Sequence, residues 1–185
     1  MSGYAGLQAE PDDPIAVVPY DPGWPRRFDA ERAVLERILE LWLREGIHHV
    51  GSTAVPGLAA KPVIDMVASV RDLEEAHAAF APLRRHSYVD APHRPGIAHH
   101  FSKLSSRLGE VTHGLHLTEP GSDLWVERLA FRDALRNDPA LAAEYAALKL
   151  NLAGKHPTDL AAYTAGKRAF VVRVLAAAGI ALGCR

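Results

Sequence analysis

The chain has 185 residues, of which 48% are hydrophobic and 23% are charged. These values are typical of a folded globular protein with one domain, or one domain and an appended subdomain, and they exclude a disordered chain. The formal net charge is −1, so the overall charge attracts neither nucleic acid nor an anionic membrane, and nucleic-acid binding is unsupported.

The sequence also restricts the compartment. It contains no apolar run long enough to span a membrane, and its first residues lack the basic and apolar segments of a secretory signal. Its single cysteine, Cys184, cannot form an internal disulfide, which fits a reducing compartment. We therefore expect a cytoplasmic protein without a membrane partner, and the sequence gives no indication of the oligomeric state.

The first predicted elements are a tail, a helix and a short strand. Residues 1–14 are rich in Gly, Pro and Asp and predict a flexible tail. A helix is predicted to begin at Trp24, because Pro25 suits a first-turn position, and apolar residues then recur at helical spacing until Gly46 ends it. The strand predicted next is Ile47–Val50.

Three more strands are predicted in the middle of the chain. The run Val63–Val70 is rich in β-branched and apolar residues, as a buried strand requires. A D-x-x-E start signal at Asp72 then predicts a helix that reaches about Leu83. The strands Ala98–Leu104 and Val111–Thr118 follow, and the six residues between them suit a hairpin loop.

From Ser122 onward the pattern is helical. The sequence from Asn137 to Pro139 and the stretch GKHPTD predict two breaks between helices, and Gly179 is predicted to end the last helix. We therefore predict an α/β fold with a mixed β-sheet core flanked by helices over residues 15–120. A C-terminal helical subdomain is predicted over residues 121–185, with the ligand cleft between the two parts.

One segment, HHVGSTAVPGLAAKPVIDM, combines a Gly-Ser-Thr turn, a lone lysine and an aspartate inside an apolar strand. Gly51 allows the backbone to approach a ligand closely, and the amides and hydroxyls of Ser52 and Thr53 can donate to phosphate oxygens. A tight turn or a helix N-cap would use the same residues, and Lys61 suits either a solvated loop or a pair with phosphate. Asp65 must be paired, protonated, bound to a cation or placed at the exposed strand end. Together these features favour a polyphosphate and metal site.

The spacing of Gly51-Ser52 and Asp65 resembles the signature of the nucleotidyltransferase superfamily, in which a hydrophobic residue and Gly-Gly or Gly-Ser precede a D-x-D or D-x-E strand. More narrowly, the sequence resembles the GrpB family over about residues 15–175. Six blocks carry this resemblance: GSTAVPGLAAKPVID (Gly51–Asp65), PYDPGWPRRFDAE (Pro19–Glu31), LHLTEPGSDLW (Leu115–Trp125), FRDALRNDP (Phe131–Pro139), EYAALK (Glu144–Lys149) and YTAGKRAFV (Tyr163–Val171).

The resemblance implies a nucleotidyltransferase-like fold and a metal site. In active members of the superfamily, the two carboxylates of the D-x-D motif hold two divalent ions, which neutralise the triphosphate and activate the attacking group. Here the motif reads Asp65-Met66-Val67, and a valine side chain cannot bind a metal. The resemblance therefore implies that Asp65 is catalytic and binds Mg²⁺ or another divalent metal, while the second position is unfilled.

His116 is a candidate for the missing ligand. It interrupts the apolar alternation of its strand, and the third carboxylate of the superfamily usually lies on a neighbouring strand. A histidine there could bind the metal, bind a phosphate or act as a base, or it could be a core histidine bonded to backbone. We predict that His116 is catalytic and binds metal together with Asp65. His113 would lie on the opposite face, and five other histidines are predicted at the surface or in loops: His48, His49, His93, His99 and His100.

Basic side chains could complete an anion pocket. Lys103 and Arg107 flank the predicted hairpin and are predicted to bind phosphate. Further candidates on the helical half are Arg132, Lys149 and Lys167. Lys149 follows Tyr145 by four residues, and Lys167 follows Tyr163 by four. Each lysine therefore shares a helix face with its tyrosine. Packing of the lysine stems on the aromatic rings at the helix surface is the favoured interpretation of either pair alone.

These residues predict a protein that binds a nucleoside triphosphate with a divalent metal and transfers a nucleotidyl group to a small-molecule acceptor. Two alternatives are a catalytically degenerate protein that binds a nucleotide or metabolite, which Val67 favours, and an adenylate-forming enzyme that activates an acyl group for amide formation. The sequence identifies neither the base of the nucleotide nor the acceptor.

Overall fold

A computed structural model of the chain describes residues 14–91, 96–105 and 110–181. The predicted tail, apart from residue 14, and Cys184, His93 and Arg107 lie outside the described residues. Within them, five strands form one sheet: β1 (Leu43–Val50), β2 (Ile64–Val70), β3 (Tyr88–Asp90), β4 (Ala98–Leu104) and β5 (Val111–Thr118).

The sheet is mixed. Its strand order is β1-β2-β5-β4-β3, with β2 and β5 parallel and the other neighbours antiparallel. The predicted strands Ala98–Leu104 and Val111–Thr118 are confirmed at both ends, and the prediction for β2 began one residue early. The parallel register places Asp65 beside Gly114 and Val67 beside His116, which sets the geometry of the candidate site.

In the described part of the chain, six α-helices accompany the sheet: α1 (Trp24–Leu39), α2 (Phe80–Arg85), α3 (Asp123–Asn137), α4 (Pro139–Lys155), α5 (Leu160–Gly166) and α6 (Arg168–Ala177). The predicted helix start after Ser122 is confirmed, because the Ser122 side chain accepts a hydrogen bond from the Trp125 amide. Asp138 caps α4 in the same way, at the predicted break. None of the described helices is long and apolar enough to cross a membrane.

The first helix is shorter than predicted. It ends at Leu39, and Leu43 already pairs with Val70 as the first residue of β1. Gly46 has a φ of +88° and lies where the register of β1 and β2 shifts between Leu43 and Ile47. The glycine therefore belongs to a bulge in a strand and does not end the helix, because the same backbone freedom serves both features.

The predicted start of the following helix is confirmed, but its first part is tighter than an α-helix. The Glu75 amide donates to Asp72 Oδ1 at 2.8 Å. A 3₁₀ segment, Glu75–Ala79, then continues into α2, which ends at Arg85.

Apolar packing differs between the two faces of the sheet. One face packs against α1 and α2 through the main core, whose buried members include Trp24, Phe28, Leu35, Met66, Phe101, Leu115 and Leu117. On the other face, Val50 and Val67 pack against Leu124 and Trp125 of α3. The second face continues past this apolar contact to the polar residues of the candidate site, where it meets the C-terminal helices.

Candidate functional site

Gly51 begins the connection from β1 to β2, residues 51–63, which we call the Gly51 loop. Its φ is +70°, and a Cβ atom at this position would lie 2.7 Å from Asp65 Oδ2. Both observations require glycine, because other residues rarely adopt this φ and a side chain would collide with the carboxylate. The predicted close approach of the backbone is therefore made first to Asp65 of the protein itself.

The Asp65 carboxylate lies between two glycines. It stands on β2 beside Gly114 of β5, and a Cβ atom on Gly114 would lie 2.7 Å from Asp65 Oδ1. Each carboxylate oxygen therefore occupies the space that a side chain on one neighbouring residue would fill. Glycine at both positions thus leaves the space in which the carboxylate lies, and we refer to this pair of glycines as the cradle.

A cavity of about 340 Å³ opens over this carboxylate. Its walls come from the Gly51 loop, from strands β2, β4 and β5, and from helices α4 and α5 with the residue that follows α5. The lining residues are Ser52, Thr53, Lys61, Val63, Asp65, His100, Ser102, Val111, Gly114, Lys149, Leu160, Tyr163 and Lys167. We refer to this cavity as the cleft.

Positive charge surrounds Asp65. Burial raises the pKa of the Asp65 carboxyl above its ordinary value, while the charges of Arg128, Lys167 and Lys61 act in the opposite direction. Lys61 and Lys167 line the cleft, and Arg128 acts from α3. Arg128 was not identified from the sequence, although Arg128, Arg132 and Arg136 recur every four residues along one helix.

Lys149 is buried in the cleft wall. Its residue is 2% exposed, its Nζ donates a hydrogen bond to the Ala59 carbonyl, and Nζ lies 4.8 Å from the centre of the Tyr145 ring. Burial, with a smaller contribution from Lys167, lowers the pKa of Lys149 to about 7. The predicted packing of the lysine on the ring is confirmed, but the predicted surface position is wrong, because α4 turns this face toward the cleft.

Lys167 follows α5 and repeats this arrangement. Its Nζ lies 4.3 Å from the centre of the Tyr163 ring, and both residues line the cleft. Burial lowers the pKa of Lys167 to about 8, against the opposing effect of Asp65. The two tyrosine–lysine pairs thus bring both lysine side chains to the cleft.

The hydroxyls of Ser52 and Thr53, which are predicted to bind phosphate, form different hydrogen bonds. Ser52 lines the cleft, and its side chain is a hydrogen-bonding partner of Tyr145. The Thr53 hydroxyl donates to the Val63 carbonyl at 3.0 Å, and His49 Nε2 lies 3.0 Å from the same oxygen. Since a hydroxyl has one proton, His49 must donate to Thr53. Thr53 therefore fastens the loop, and its hydroxyl proton is directed to backbone.

His49 is not at the surface, contrary to the prediction. It is 6% exposed and stacks on Phe28 with ring centres 4.8 Å apart. Burial, together with the charges of Arg136 and Arg132, lowers the pKa of His49 to about 4. His49 is therefore neutral at pH 7 and available as the donor to Thr53.

Two arginines of α3 donate to backbone carbonyls on either side of Ser52 and Thr53. Arg132 Nη1 donates to the His49 carbonyl at 3.1 Å, and Arg136 Nε donates to the Ala54 carbonyl at 2.8 Å. Arg132 also pairs with Asp133, at 2.7 Å from Nε to Oδ1. Arg132 thus reaches the loop from its backbone side and does not line the cleft.

Lys103 does not reach the cleft. Its Nζ lies 2.7 Å from both carboxylate oxygens of Glu31, which also accepts a hydrogen bond from the Tyr88 hydroxyl at 3.0 Å. These residues lie on the α1 side of the sheet, because Lys103 and Ser102 point to opposite faces of β4. The predicted phosphate contact of Lys103 therefore has no support in the structure, and Arg107 lies outside the described residues.

His100, which the sequence placed at the surface or in a loop, lines the cleft. Its Nε2 lies 3.8 Å from the point that a Cβ on Gly114 would occupy. His116 pairs with His100 across β4 and β5, and the two rings stack with centres 4.5 Å apart. In the register of β4 and β5, Ser102 lies beside Gly114, and His100 lies beside His116. The His100 side chain nevertheless reaches toward Gly114 and faces the cleft, whereas His116 is 5% exposed and is absent from the described cleft lining.

Comparisons with known proteins agree with this fold. A family model described as "GrpB protein" matches residues 14–177. The chain is 41% identical over 167 residues to the UPF0157 protein PA4798 of Pseudomonas aeruginosa, covering 89% of this chain and 67% of that protein. It is 35% identical over 159 residues to the UPF0157 protein YqkA of Bacillus subtilis, covering 85% of this chain but only 45% of that relative.

A solved structure is similar over nearly its whole length. The conserved protein GrpB from Enterococcus faecalis superposes with a TM-score of 0.80 at 31% identity, covering 88% of this chain and 96% of that chain. The predicted fold class, an α/β fold with a mixed sheet flanked by helices, is confirmed. With the family model matching residues 14–177, the chain belongs to the GrpB family.

Proposed function

We propose that the cleft binds the triphosphate of a nucleoside triphosphate, and that the protein transfers the nucleotidyl group to a small-molecule acceptor. The observation that carries this proposal is the Asp65 carboxylate, held between Gly51 and Gly114 in a cleft whose walls present Lys61, Lys149 and Lys167. A phosphate chain matches the lysines, and a metal ion on that chain matches the carboxylate.

Each residue has a distinct role in this proposal. The three lysines offset phosphate charge, and the Ser52 hydroxyl donates to a phosphate oxygen. Asp65 binds the ion or orients the attacking group. His100, instead of His116, acts as the base, because His100 faces the cleft and can accept the proton of the acceptor.

The donor set fits one divalent ion that arrives with the triphosphate. Asp65 is the one acid among the described residues that line the cleft, and residues 14–91, 96–105 and 110–181 contain no group of three His, Cys, Asp or Glu side chains able to hold a metal. Mg²⁺ commonly takes one or two carboxylates together with substrate phosphates and waters. When bound, Mg²⁺ would offset the charge of the phosphates.

The test is nucleotide binding with and without magnesium. Wild type and the Asp65→Asn variant would be titrated with a non-hydrolysable nucleoside triphosphate analogue, in Mg²⁺ and in chelator. We expect wild type to bind more tightly with Mg²⁺ and Asp65→Asn to lose that advantage. Asp72→Asn is the matched control, because it removes one charge outside the cleft and asparagine preserves the cap on Glu75. Equal, metal-independent binding by wild type and Asp65→Asn would disprove the proposed role.

Binding without catalysis is the second candidate function. Val67 favours it, because this residue is fully buried among Val50, Leu124 and Trp125 and offers no second ligand. Pyrophosphate release in the presence of each triphosphate and a set of small acceptors separates the two functions. Release that depends on Asp65 supports transfer, whereas tight binding with no release supports a binding protein.

A further inference from the structure

The cleft carries more positive charge than the described acid that lines it can balance. Among the described lining residues, Lys61, Lys149 and Lys167 face the single acid Asp65, and Arg128 adds a fourth charge from α3. None of the three lysines forms an ion pair within 4 Å in the described part of the chain. Buried cations without anionic partners are unfavourable, so this arrangement indicates an anionic ligand.

Lys149 carries this argument furthest. It is 2% exposed, yet its described polar contact is the neutral Ala59 carbonyl, and its other contact is the Tyr145 ring. A structural lysine at a helix surface would extend into water instead. The fold therefore maintains an ammonium group next to the cleft at an energetic cost, which a bound anion would offset.

The place where a D-x-D motif would carry its second carboxylate is closed by packing. Val67 is fully buried and contacts the apolar side chains of α3. The lysines, in contrast, come from the Gly51 loop and the C-terminal helical region, and two of them act electrostatically on Asp65. Positive charge is thus supplied by side chains of the Gly51 loop and the C-terminal helical region, while the sheet supplies one carboxylate.

We propose that the cleft takes its triphosphate with a single divalent ion, and that Lys149 and Lys167 supply the positive charge that the second ion supplies in a D-x-D site. This inference rests on the proposed function, because it assumes a polyphosphate ligand. It adds that metal-free polyphosphate retains affinity for the cleft, and that this residual affinity depends on the two lysines.

Two measurements test the inference. The first counts Mn²⁺ retained by the protein at saturating non-hydrolysable triphosphate analogue, by equilibrium dialysis with matched samples that lack protein. One Mn²⁺ per bound nucleotide is expected, and two would overturn the inference while leaving the proposed function intact.

The second measurement is binding of inorganic triphosphate in chelator, compared among wild type, Lys149→Met and Lys167→Met. Each variant should bind about tenfold more weakly or worse, since each loses a charge-assisted contact. Lys155→Met is the matched control, because Lys155 is exposed at the end of α4 and should bind as wild type. Methionine preserves most of the side-chain volume, and circular dichroism with thermal unfolding verifies that each variant is folded.

The outcomes distinguish the two proposals. Wild-type affinity for metal-free triphosphate in both lysine variants would overturn the inference, whatever the nucleotide result. If inorganic triphosphate binds through the lysines but no nucleotide binds with or without Mg²⁺, the anion site stands and the proposed function fails.

Discussion

Gly114 lies directly beside Asp65 in the parallel pairing of β2 and β5, and a side chain on Gly114 would begin 2.7 Å from Asp65 Oδ1. The position of the Asp65 carboxylate therefore depends on Gly114, which has no side chain that could bind a ligand. Gly51 has a positive φ, whereas Gly114 is in a strand and does not. A substitution at Gly114 therefore tests the steric effect of a side chain without adding backbone strain.

Gly114→Ala should displace the Asp65 carboxylate and weaken Mg²⁺-dependent nucleotide binding by about tenfold or more, because metal and phosphate contacts depend on its position. Titration with the non-hydrolysable analogue measures the effect. Gly154→Ala is the matched control, since a Cβ atom at Gly154 would meet nothing within 4 Å. That control should bind as wild type and stabilise α4 by about 1 kcal/mol. Wild-type binding by Gly114→Ala would contradict the cradle.

Polyphosphate binding should weaken as the pH rises above about 7. Burial lowers the pKa of Lys149 to about 7 and that of Lys167 to about 8, so both lose their charge in this range in the free protein. A bound anion favours the protonated lysines, so binding at about pH 8 should take up protons. Calorimetry in buffers with different ionisation enthalpies measures this uptake. Lys149→Met should reduce it, and an affinity independent of pH from about 6 to 9 would contradict the assignment.

The free energy of unfolding of the unliganded protein should rise with pH because of Lys149. In the unfolded chain Lys149 has its ordinary pKa near 10.5, whereas burial lowers the pKa in the folded chain to about 7. Between these values the unfolded state binds more protons, so the free energy of unfolding increases as the pH rises from about 7 toward 10. The stability of Lys149→Met relative to wild type should therefore be more favourable at about pH 6 than at about pH 9.5. Urea unfolding at both pH values measures this difference, and a pH-independent difference would contradict it.

Arg132→Ala should loosen the Gly51 loop and lower the free energy of unfolding by about 1.5–3 kcal/mol, since the substitution removes a charged donor to the His49 carbonyl. Nucleotide affinity should fall as well, although Arg132 does not line the cleft. Arg173→Ala removes an exposed pair with Glu144 and should change stability by only about 0–1 kcal/mol. Equal effects of the two substitutions on unfolding and on binding would argue against a special role for Arg132.

The two stacked histidines should differ in what they affect. His100→Gln should weaken ligand binding or turnover with a small change in thermal stability, because His100 lines the cleft. His116→Gln should mainly lower thermal stability, because His116 is buried. Thermal unfolding and nucleotide titration of both variants measure this contrast. If His116→Gln alone impaired binding, the role first predicted for His116 would be restored.

The sequence predicted the parts of the site that lie on one continuous segment. Gly51, Ser52, Lys61 and Asp65 are within fifteen residues, and their spacing is enough to place them on a loop and the strand that follows. The extents of β4 and β5 also followed from local patterns, because alternation and the connecting loop are local properties.

Residues separated along the chain were harder to place. Alternation shows that His100 and Lys103 occupy opposite faces of β4, but only the pairing of β4 with β5 shows which face meets Asp65. Helical spacing shows that Tyr145 and Lys149 share a face of α4 but not what covers that face. The predicted surface position of Lys149 is wrong for this reason. The first helix is predicted too long because the prediction ends it at Gly46. The backbone freedom of a glycine suits a helix end and a strand bulge equally well.

The loop that carries Ser52 is tied down before any ligand arrives. Arg132 and Arg136 hold the backbone at His49 and Ala54, and Thr53 between them is fixed by its bonds to His49 and Val63. A pre-organised loop loses little conformational entropy when it closes on a ligand, so more of the contact energy appears as affinity. Hydrogen exchange of residues 51–54 should accordingly be slow in the free protein and change little on binding, which would distinguish this rigid loop from one ordered by its ligand.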